Sequence, residues 1–519
     1  MSGDNCNLPG KVFLVGAGPG DPKLLTVRAV SCLGRADVVL YDYLVNPRIL
    51  SAARAGAEFI CLGRHDRSRT WTPSEICRQL VAFAQSGKTV VRLKNGDPSV
   101  FARGGEEMAA LTAARIPFEV VPGITAGLAA GSCAGIPVTH RQLASAVALV
   151  TGHERDQKEE ITSLDYESLA RFPGTLIFYM GVSAAPVWTA SLIASGKSPE
   201  TPAAIVRNCS LPDQQTTHCR LDEVASRMQE RKIVAPVVVI VGPVAAEQWA
   251  ASWFERRPLF GKRILVTRAA EQAGTLAEQL EELGADVLCQ PAIEIGPPSD
   301  WAPVDRALER IADFDWLVFS SSNGVRYLLD RLLSTGRDLR QLGGVRLAVI
   351  GPGTADELLR YHLKADLQPQ TFRAESLAAA LIPEARGKRF LLARASRGRE
   401  VLAEELQKAG GIVDQVVVYR STDCRVPEPR IAEALASGRL DYVTVTSSAI
   451  AKSIHALFGQ QLASTRLVSI SPITSQTLRD LGLQTAAEAG EYTMRGVVEA
   501  ILRDVNADRS AGMPDQAAS

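Results

Sequence analysis

No run in this 519-residue chain is long and apolar enough to span a bilayer. The longest apolar stretch, Ala235 to Ala246, falls short of the ~20 residues that a spanning helix needs. It reads as a buried strand ending in a turn at Gly242-Pro243. Met1 to Lys11 is polar and carries no apolar signal-peptide core. Net charge is also missing, with 57 Lys and Arg against 57 Asp and Glu. That balance argues against a nucleic-acid-binding protein as a whole, and it leaves local basic clusters available to an acidic small molecule. The nine cysteines form no C-x-x-C pair and the six histidines form no H-E-x-x-H, so no metal site is expected. Scattered cysteines of this kind fit a reducing cytoplasm, where they act as small buried apolar residues.

The chain is too long for one core, and two or three domains are expected. Short strands rich in Val, Ile and Leu alternate with helix-like segments from end to end. The clearest are 12–15, 38–41, 89–93, 146–151, 176–179, 203–206 and 237–241. This alternation predicts α/β architecture with largely parallel sheets. Residues 106–114 carry a helical apolar face. Trp253 to Gly261, with its proline, arginines and glycine, reads as a break. The expected organisation is a domain over 10–250, a linker over 251–261 and a second domain over 262–505. A small, polar, disordered tail over 506–519 completes it.

Two stretches of the first half carry chemistry. Gly16-Ala17-Gly18-Pro19-Gly20-Asp21 closes the strand Val12–Val15, and a glycine-rich turn there lets backbone approach a ligand. Val91-Arg92-Leu93-Lys94-Asn95-Gly96-Asp97-Pro98 follows, with Arg103-Gly104-Gly105-Glu106-Glu107 behind it. A dinucleotide fold is the rival reading, with Asp42 as its ribose-binding acid. Against it, the third glycine stands one place early and Pro19 stiffens the turn.

Further motifs decide between them. Leu24-Leu25-Thr26, Tyr41-Asp42, Pro122-Gly123-Ile124-Thr125-Ala126, Gly135-Ile136-Pro137-Val138-Thr139-His140-Arg141 and Tyr179-Met180-Gly181 complete an ordered set. With them, Gly10 to Val244 resembles the tetrapyrrole methylases, specifically uroporphyrinogen-III C-methyltransferase. The resemblance implies a two-lobed α/β fold with S-adenosylmethionine in the cleft. It places the cofactor against Pro19, Asn95, Gly96, Asp97, Val100, Thr125, Ala126, Met180 and Cys209. Asp97 has the alternative of capping the helix expected after Pro98, and Met180 that of plain core. Asp42 stands where the family has the base that takes the pyrrole N–H proton; otherwise it is a strand-end carboxylate in a salt bridge.

This chain departs from the family pattern at three places. Asn95 and Cys209 replace glycines, and Arg64 replaces a lysine proposed as proton donor. Arginine holds its proton too tightly for that work, so Arg64 reads as a clamp on a substrate carboxylate. It opens the basic stretch Arg64-His65-Asp66-Arg67-Ser68-Arg69, which is otherwise a solvated loop. Arg103 and Arg141 are further substrate-binding candidates. The family also implies a homodimer through this half. No separate dinucleotide unit precedes Gly16, so no precorrin-2 dehydrogenase or ferrochelatase activity is expected.

In the second half, four strands each run into a Ser/Thr/Gly-rich turn. They are Leu317 to Gly324, Ala348 to Ala355, Tyr442 to Ser448 and Leu467 to Ser475. The two pairs look like one motif used twice, suited to helix capping and to lining a crevice with hydroxyls and backbone N–H groups. With Val266-Thr267-Arg268 and Val417-Val418-Tyr419-Arg420, they give 261–503 a resemblance to uroporphyrinogen-III synthase. The resemblance implies two α/β lobes crossed near Gln290–Ile295 and again near Val416–Arg420. It places Ser322, Thr354, Ser448 and Thr474 on substrate carboxylates. Tyr419 either assists departure of the hydroxyl or is a hinge-strand aromatic. The combined expectation is a fused enzyme that cyclises hydroxymethylbilane and methylates the product to precorrin-2, for siroheme and cobalamin. The alternative is a methylase carrying a non-catalytic binding module.

Overall fold

The computed structural model describes residues 10–63, 71–152, 164–246, 252–267, 270–398 and 400–511. They form two compact units, Met1–Lys262 with Leu280–Asp286, and Arg263–Gln279 with Val287–Ser519. No described helix is long and apolar enough to cross a membrane.

The first unit has two sheets. β1 (Val12–Gly16), β2 (Val38–Tyr41), β3 (Glu58–Cys61), β4 (Val90–Lys94) and β5 (Phe118–Val121) lie in the order β3-β2-β4-β1-β5. Their pairings are all parallel. Both faces are covered. Phe13 and Val15 enter one apolar cluster while Val12 and Leu14 enter another, which is why β1 is a continuous apolar run.

The second sheet comprises β6 (Val147–Thr151), β7 (Thr175–Tyr179), β8 (Pro202–Arg207), β9 (Gln215–Arg220) and β10 (Val237–Val241), ordered β6-β7-β10-β8-β9. Here the parallel expectation fails. β10 runs antiparallel to both β7 and β8, and β8 runs antiparallel to β9. Strand direction is set by how the chain returns, and composition does not encode it. β9 escaped the sequence reading because Gln215-Thr216-Thr217-His218-Cys219-Arg220 is an edge strand with little apolar content. β10 is buried throughout, as Ala235 to Ala246 suggested.

The expected linker is packed structure where it is described. Phe254 and Leu259 are buried, and the Arg257 guanidinium lies 3.8 Å over the Phe254 ring. The Trp253 indole N–H donates to Ser132 O at 2.9 Å. Glu255 Oε1 accepts from Gln214 Nε2 at 2.9 Å and Thr216 Oγ1 at 2.5 Å. Proline and glycine mark turns here, but two apolar side chains fasten the segment.

The second unit also has two sheets. β11 (Arg263–Val266) and β12 (Asp286–Cys289) belong to the first, and β13 (Ile293–Gly296), β14 (Trp316–Phe319), β15 (Arg346–Val349), β16 (Arg389–Ala395) and β17 (Ile412–Asp423) to the other. β18 (Tyr442–Val445), β19 (Arg466–Ser469) and β20 (Thr485–Glu488) return to the first. The orders are β12-β11-β18-β19-β20 and β13-β17-β16-β14-β15. The chain crosses at 290–292 and returns at 424–428, later than Val416–Arg420. β17 continues because β13 pairs antiparallel with its Arg420 to Asp423 end. The crossings are tied by Cys424 N–H to Ala292 O at 3.0 Å and Glu428 N–H to Gln290 Oε1 at 2.7 Å.

Residues 506–511 of the expected tail continue the helix Met494–Ala511. Asp504 accepts the Tyr442 hydroxyl at 2.8 Å, and Arg466 pairs with Asp504 and Asp508. Positions 512–519 lie outside the described residues.

Candidate active site

In the first unit the site is built where three strand-end turns meet. Gly18 and Gly96 bridge reciprocally, with N–H to O distances of 3.1 and 2.8 Å. A Cβ on Gly16 would stand 2.5 Å from Gly123 N, and one on Gly123 would stand 2.2 Å from Gly96 O. The ends of β1, β4 and β5 therefore touch backbone to backbone, which only glycine permits. The left-handed conformation falls on Gly96, with φ +69°. Asn95 is not among the residues of positive φ, so asparagine meets no left-handed strain there.

Two cavities of about 670 and 570 Å³ open between the lobes of this unit and share Tyr43, Leu44, Asn95, Ala126, Tyr179 and Met180. Asp42, Gly96, Val100 and Thr125 join the larger; Pro19 and Cys209 join the smaller. These candidates, spread across 19–209, are brought to one place. Asp97 is placed differently. Its carboxylate accepts Ser99 N–H at 2.7 Å and Gly123 N–H at 3.0 Å, binding the turn after β4 to the turn after β5. No helix follows Pro98 directly. The next begins at Gly104, with Arg103 at φ +55° before it. Arg103 is exposed and pairs with Glu106 at 3.2 Å. Arg141 is exposed in the turn between His140 and Ala144. Neither lines the two cavities. Arg64 lies outside the described residues, as does the rest of its basic stretch.

Asp42 is a strand-end carboxylate in a salt bridge that also faces the cleft. It lines the larger cavity, and its Oδ1 accepts from Arg92 Nη2 at 2.5 Å. Cys209 is buried, with Sγ 3.7 Å from Ala126 O, and burial pushes its thiol up to about 12. It is a neutral wall residue that holds the first turn of the helix Ala126–Ala134.

Tyr179, Phe101 and Asn208 also line the cavities and were not among the site residues expected from sequence. The Tyr179 hydroxyl meets Thr125 Oγ1 at 2.8 Å and accepts Gly127 N–H at 2.8 Å. Phe101 tilts against the Tyr179 ring at 5.1 Å. Phe101, Met180 and Asn208 all line the cavities with φ near +50°, a conformation costing about 1–2 kcal/mol for a side chain with a Cβ. Such strain collects at binding sites, and nothing in residue type announces it. The Tyr179-Met180-Gly181 motif was the one available signal.

In the second unit the four turns cap helices. Ser321, Ser447 and Ser471 accept from Gly324, Ile450 and Thr474 N–H, and Gly351 precedes Pro352–Arg360. The pairing is a repeat in three dimensions. β14 lies beside β15, and β18 beside β19. Ser322 Oγ donates to Gly353 O at 2.8 Å across one pair, and Thr477 Oγ1 donates to Ser448 Oγ at 3.0 Å across the other. Thr354 and Thr474 are buried. Tyr419 joins the first cluster, its hydroxyl 3.1 Å from Ser321 Oγ and its ring stacked on Tyr327 at 5.8 Å. Burial raises its phenol above the ordinary value, against the pull of Ser321 and Asn323.

A family model described as Tetrapyrrole (Corrin/Porphyrin) Methylases matches residues 11–225, and one described as Uroporphyrinogen-III synthase HemD matches 274–499. The porphyrin biosynthesis protein HemD of Ruminiclostridium josui is 34% identical over 490 residues, 94% of this chain and 95% of its own. This chain belongs to that family of methylase–synthase fusions. An S-adenosyl-L-methionine-dependent uroporphyrinogen III methyltransferase of Methanosarcina barkeri is 48% identical over 235 residues, 45% of this chain and 92% of its own. The solved uroporphyrin-III C-methyl transferase of Thermus thermophilus, complexed with S-adenyl homocysteine, is 40% identical. It covers 46% of this chain and 99% of its own, with TM-score 0.40.

Proposed function

We infer that the fusion carries out two consecutive steps of tetrapyrrole synthesis. The second unit closes hydroxymethylbilane to uroporphyrinogen III. The first methylates that product to precorrin-2, from which siroheme and cobalamin derive. The observation that carries the methylase reading is the convergence of Asp42, Gly96, Thr125, Ala126 and Met180 on one cleft. The cleft fits S-adenosylmethionine: Gly96, from the close-packed glycine turns, lines it, and the two cavities are apolar-walled with few polar groups. Pro19, Asn95, Gly96, Val100, Thr125, Ala126, Met180 and Cys209 would hold it, with Asp97 fixing the turn. When bound, it supplies an electrophilic methyl group. Asp42 would take the pyrrole N–H proton as the ring carbon attacks. Arg64, Arg103 and Arg141 would grip carboxylates through their forked N–H groups.

For ring closure, the protonated Tyr419 hydroxyl would assist departure of the substrate hydroxyl. Ser322, Thr354, Ser448 and Thr474 would present N–H groups and hydroxyls at helix starts to its carboxylates. A cytoplasmic homodimer formed through the methylase unit completes the reading. The test is to incubate the full chain with hydroxymethylbilane and S-adenosylmethionine, then identify the tetrapyrrole. The expected product is dimethylated and of the asymmetric isomer series. Recovery of the symmetric isomer alone would remove the synthase reading, and absence of methyl incorporation would remove the methylase reading.

A further inference from the structure

Behind Asp42, three ionisable side chains are buried together. Arg92 and Lys94 stand two residues apart on β4 and so share one face of the sheet. Glu107 reaches them from the helix Gly104–Ala113. Their exposures are 3, 2 and 5%. Glu107 Oε1 accepts from Arg92 Nε at 2.9 Å and from Lys94 Nζ at 2.7 Å. Arg92 Nη1 donates to Leu93 O at 3.1 Å, and Nη2 donates to Asp42 Oδ1 at 2.5 Å. Glu107 Oε2 is buried with no hydrogen-bond partner among the described residues.

Such a cluster is a poor device for stability, since apolar side chains of similar volume would avoid the desolvation of three charges. Among the described residues, its contact with the cleft is Asp42. We propose that Glu107, acting through Arg92 and Lys94, is a positioning residue that sets the direction and basicity of the Asp42 carboxylate during methyl transfer. The proposal rests on the reading of Asp42 as proton acceptor. Direction follows from geometry. With Nε held by Glu107 and Nη1 by Leu93 O, the guanidinium plane is fixed, and Nη2 meets Asp42 from one side.

Basicity follows from charge. Without Glu107, Asp42 would face the Arg92 guanidinium and a Lys94 ammonium that burial and Arg92 already weaken and Glu107 supports, and nearby opposite charge weakens a carboxylate's hold on a proton. The Glu107 anion offsets one of these cations. The other groups facing the cluster are Cys77, from the helix Pro73–Gln85, and Glu106, from the same helix as Glu107. Burial raises the Cys77 thiol, and the two glutamates add to this, so it stays neutral. Glu106 pairs with Arg103.

The test measures methyl transfer to uroporphyrinogen III by the full chain as a function of pH, in Glu107→Gln, Asp42→Asn and the double variant. In Glu107→Gln the acid limb of kcat is expected to move down by about one pH unit. The plateau should fall about three- to tenfold as the base weakens. KM for uroporphyrinogen III and Kd for S-adenosylhomocysteine should stay within about twofold. In the Asp42→Asn background, Glu107→Gln should cost nothing further. An unmoved limb, or an equal loss in both backgrounds, would overturn the proposal. If Glu107→Gln fails to fold, Lys94→Met with Glu107→Gln removes a buried cation and anion together. The net charge facing Asp42 is then as in the parent, so the limb should stay in place while the plateau falls as Arg92 Nε loses its anchor, and a moved limb refutes the charge argument. Normal turnover by Asp42→Asn would instead overturn the base assignment, whatever Glu107 does.

Discussion

Replacing Gly16 with alanine perturbs the first unit at its tightest point. The new Cβ would stand 2.5 Å from Gly123 N, 2.6 Å from Gly123 Cα and 2.7 Å from Gly96 O. All three are backbone atoms, so no rotamer change relieves the contact. Overpacking costs about 1–3 kcal/mol, and rigid neighbours place this case near 3. In a unit of this size that corresponds to a fall of about 6–12 °C in unfolding temperature. Gly96→Ala is the control. Its φ is +69°, yet the nearest atoms to an added Cβ are 3.8 Å away, so only the backbone conformation resists, at about 1–2 kcal/mol. Calorimetric unfolding of the full chain, with and without S-adenosylhomocysteine, separates the two. Gly16→Ala should lower the first transition further than Gly96→Ala and lose its ligand-induced rise. A Gly16→Ala protein with an unperturbed transition and a full ligand shift would refute the packing argument.

Asp42→Ala should lower methyl transfer by about 10²–10⁴-fold and leave the Kd for S-adenosylhomocysteine within about twofold by calorimetry, since Arg92 keeps Glu107 as a partner. Tyr179→Phe strips Thr125 Oγ1 and Gly127 N–H of one bond each. The loss of about 1–2 kcal/mol should weaken S-adenosylhomocysteine binding about 5–30-fold, and unchanged binding would contradict it. Tyr419→Phe should slow ring closure and raise the fraction of symmetric isomer, read by chromatography of the oxidised porphyrins. Burial raises the Tyr419 phenol in the folded protein. Its share of stability is therefore complete below the unfolded value near 10 and is lost as pH rises through the higher folded value. Ring closure should accordingly show no basic limb from this group below about pH 10, and Tyr419→Phe should flatten the alkaline loss of stability.

Most of the first unit's candidate site was legible because its geometry depends on backbone. Gly16, Gly18, Gly96 and Gly123 mark turns by their residue type, and Pro19, Thr125 and Ala126 flank them. Arg92, Lys94 and Glu107 stood in the quoted motifs, yet their joint burial was not readable. Polar residues on a strand and a helix reveal a partnership only when packing brings them within 3 Å. The linker misled for the same reason. Its proline, arginines and glycine describe local conformation, whereas Trp253 and Glu255 find their hydrogen-bond partners far away in sequence, at Ser132, Gln214 and Thr216. In the second unit, Ser321, Ser447 and Ser471 announced helix starts, because capping is local. That β14–β15 and β18–β19 repeat one arrangement was visible as pattern. Which hydroxyls would already be engaged, as Ser322 and Ser448 are, was not.

The sequence by itself determined most of the strands, the capped helix starts of the second unit, the glycine turns and the kind of enzyme, since each depends on residue type over a few neighbours. Tertiary structure alone decided strand direction in the second sheet, the place where the lobes of the second unit cross back, and the left-handed Phe101, Met180 and Asn208 around the cleft. It also decided that Asp42 is tethered to three buried charges. These outcomes depend on which distant surfaces meet, and the free energy of that meeting overrides local preference.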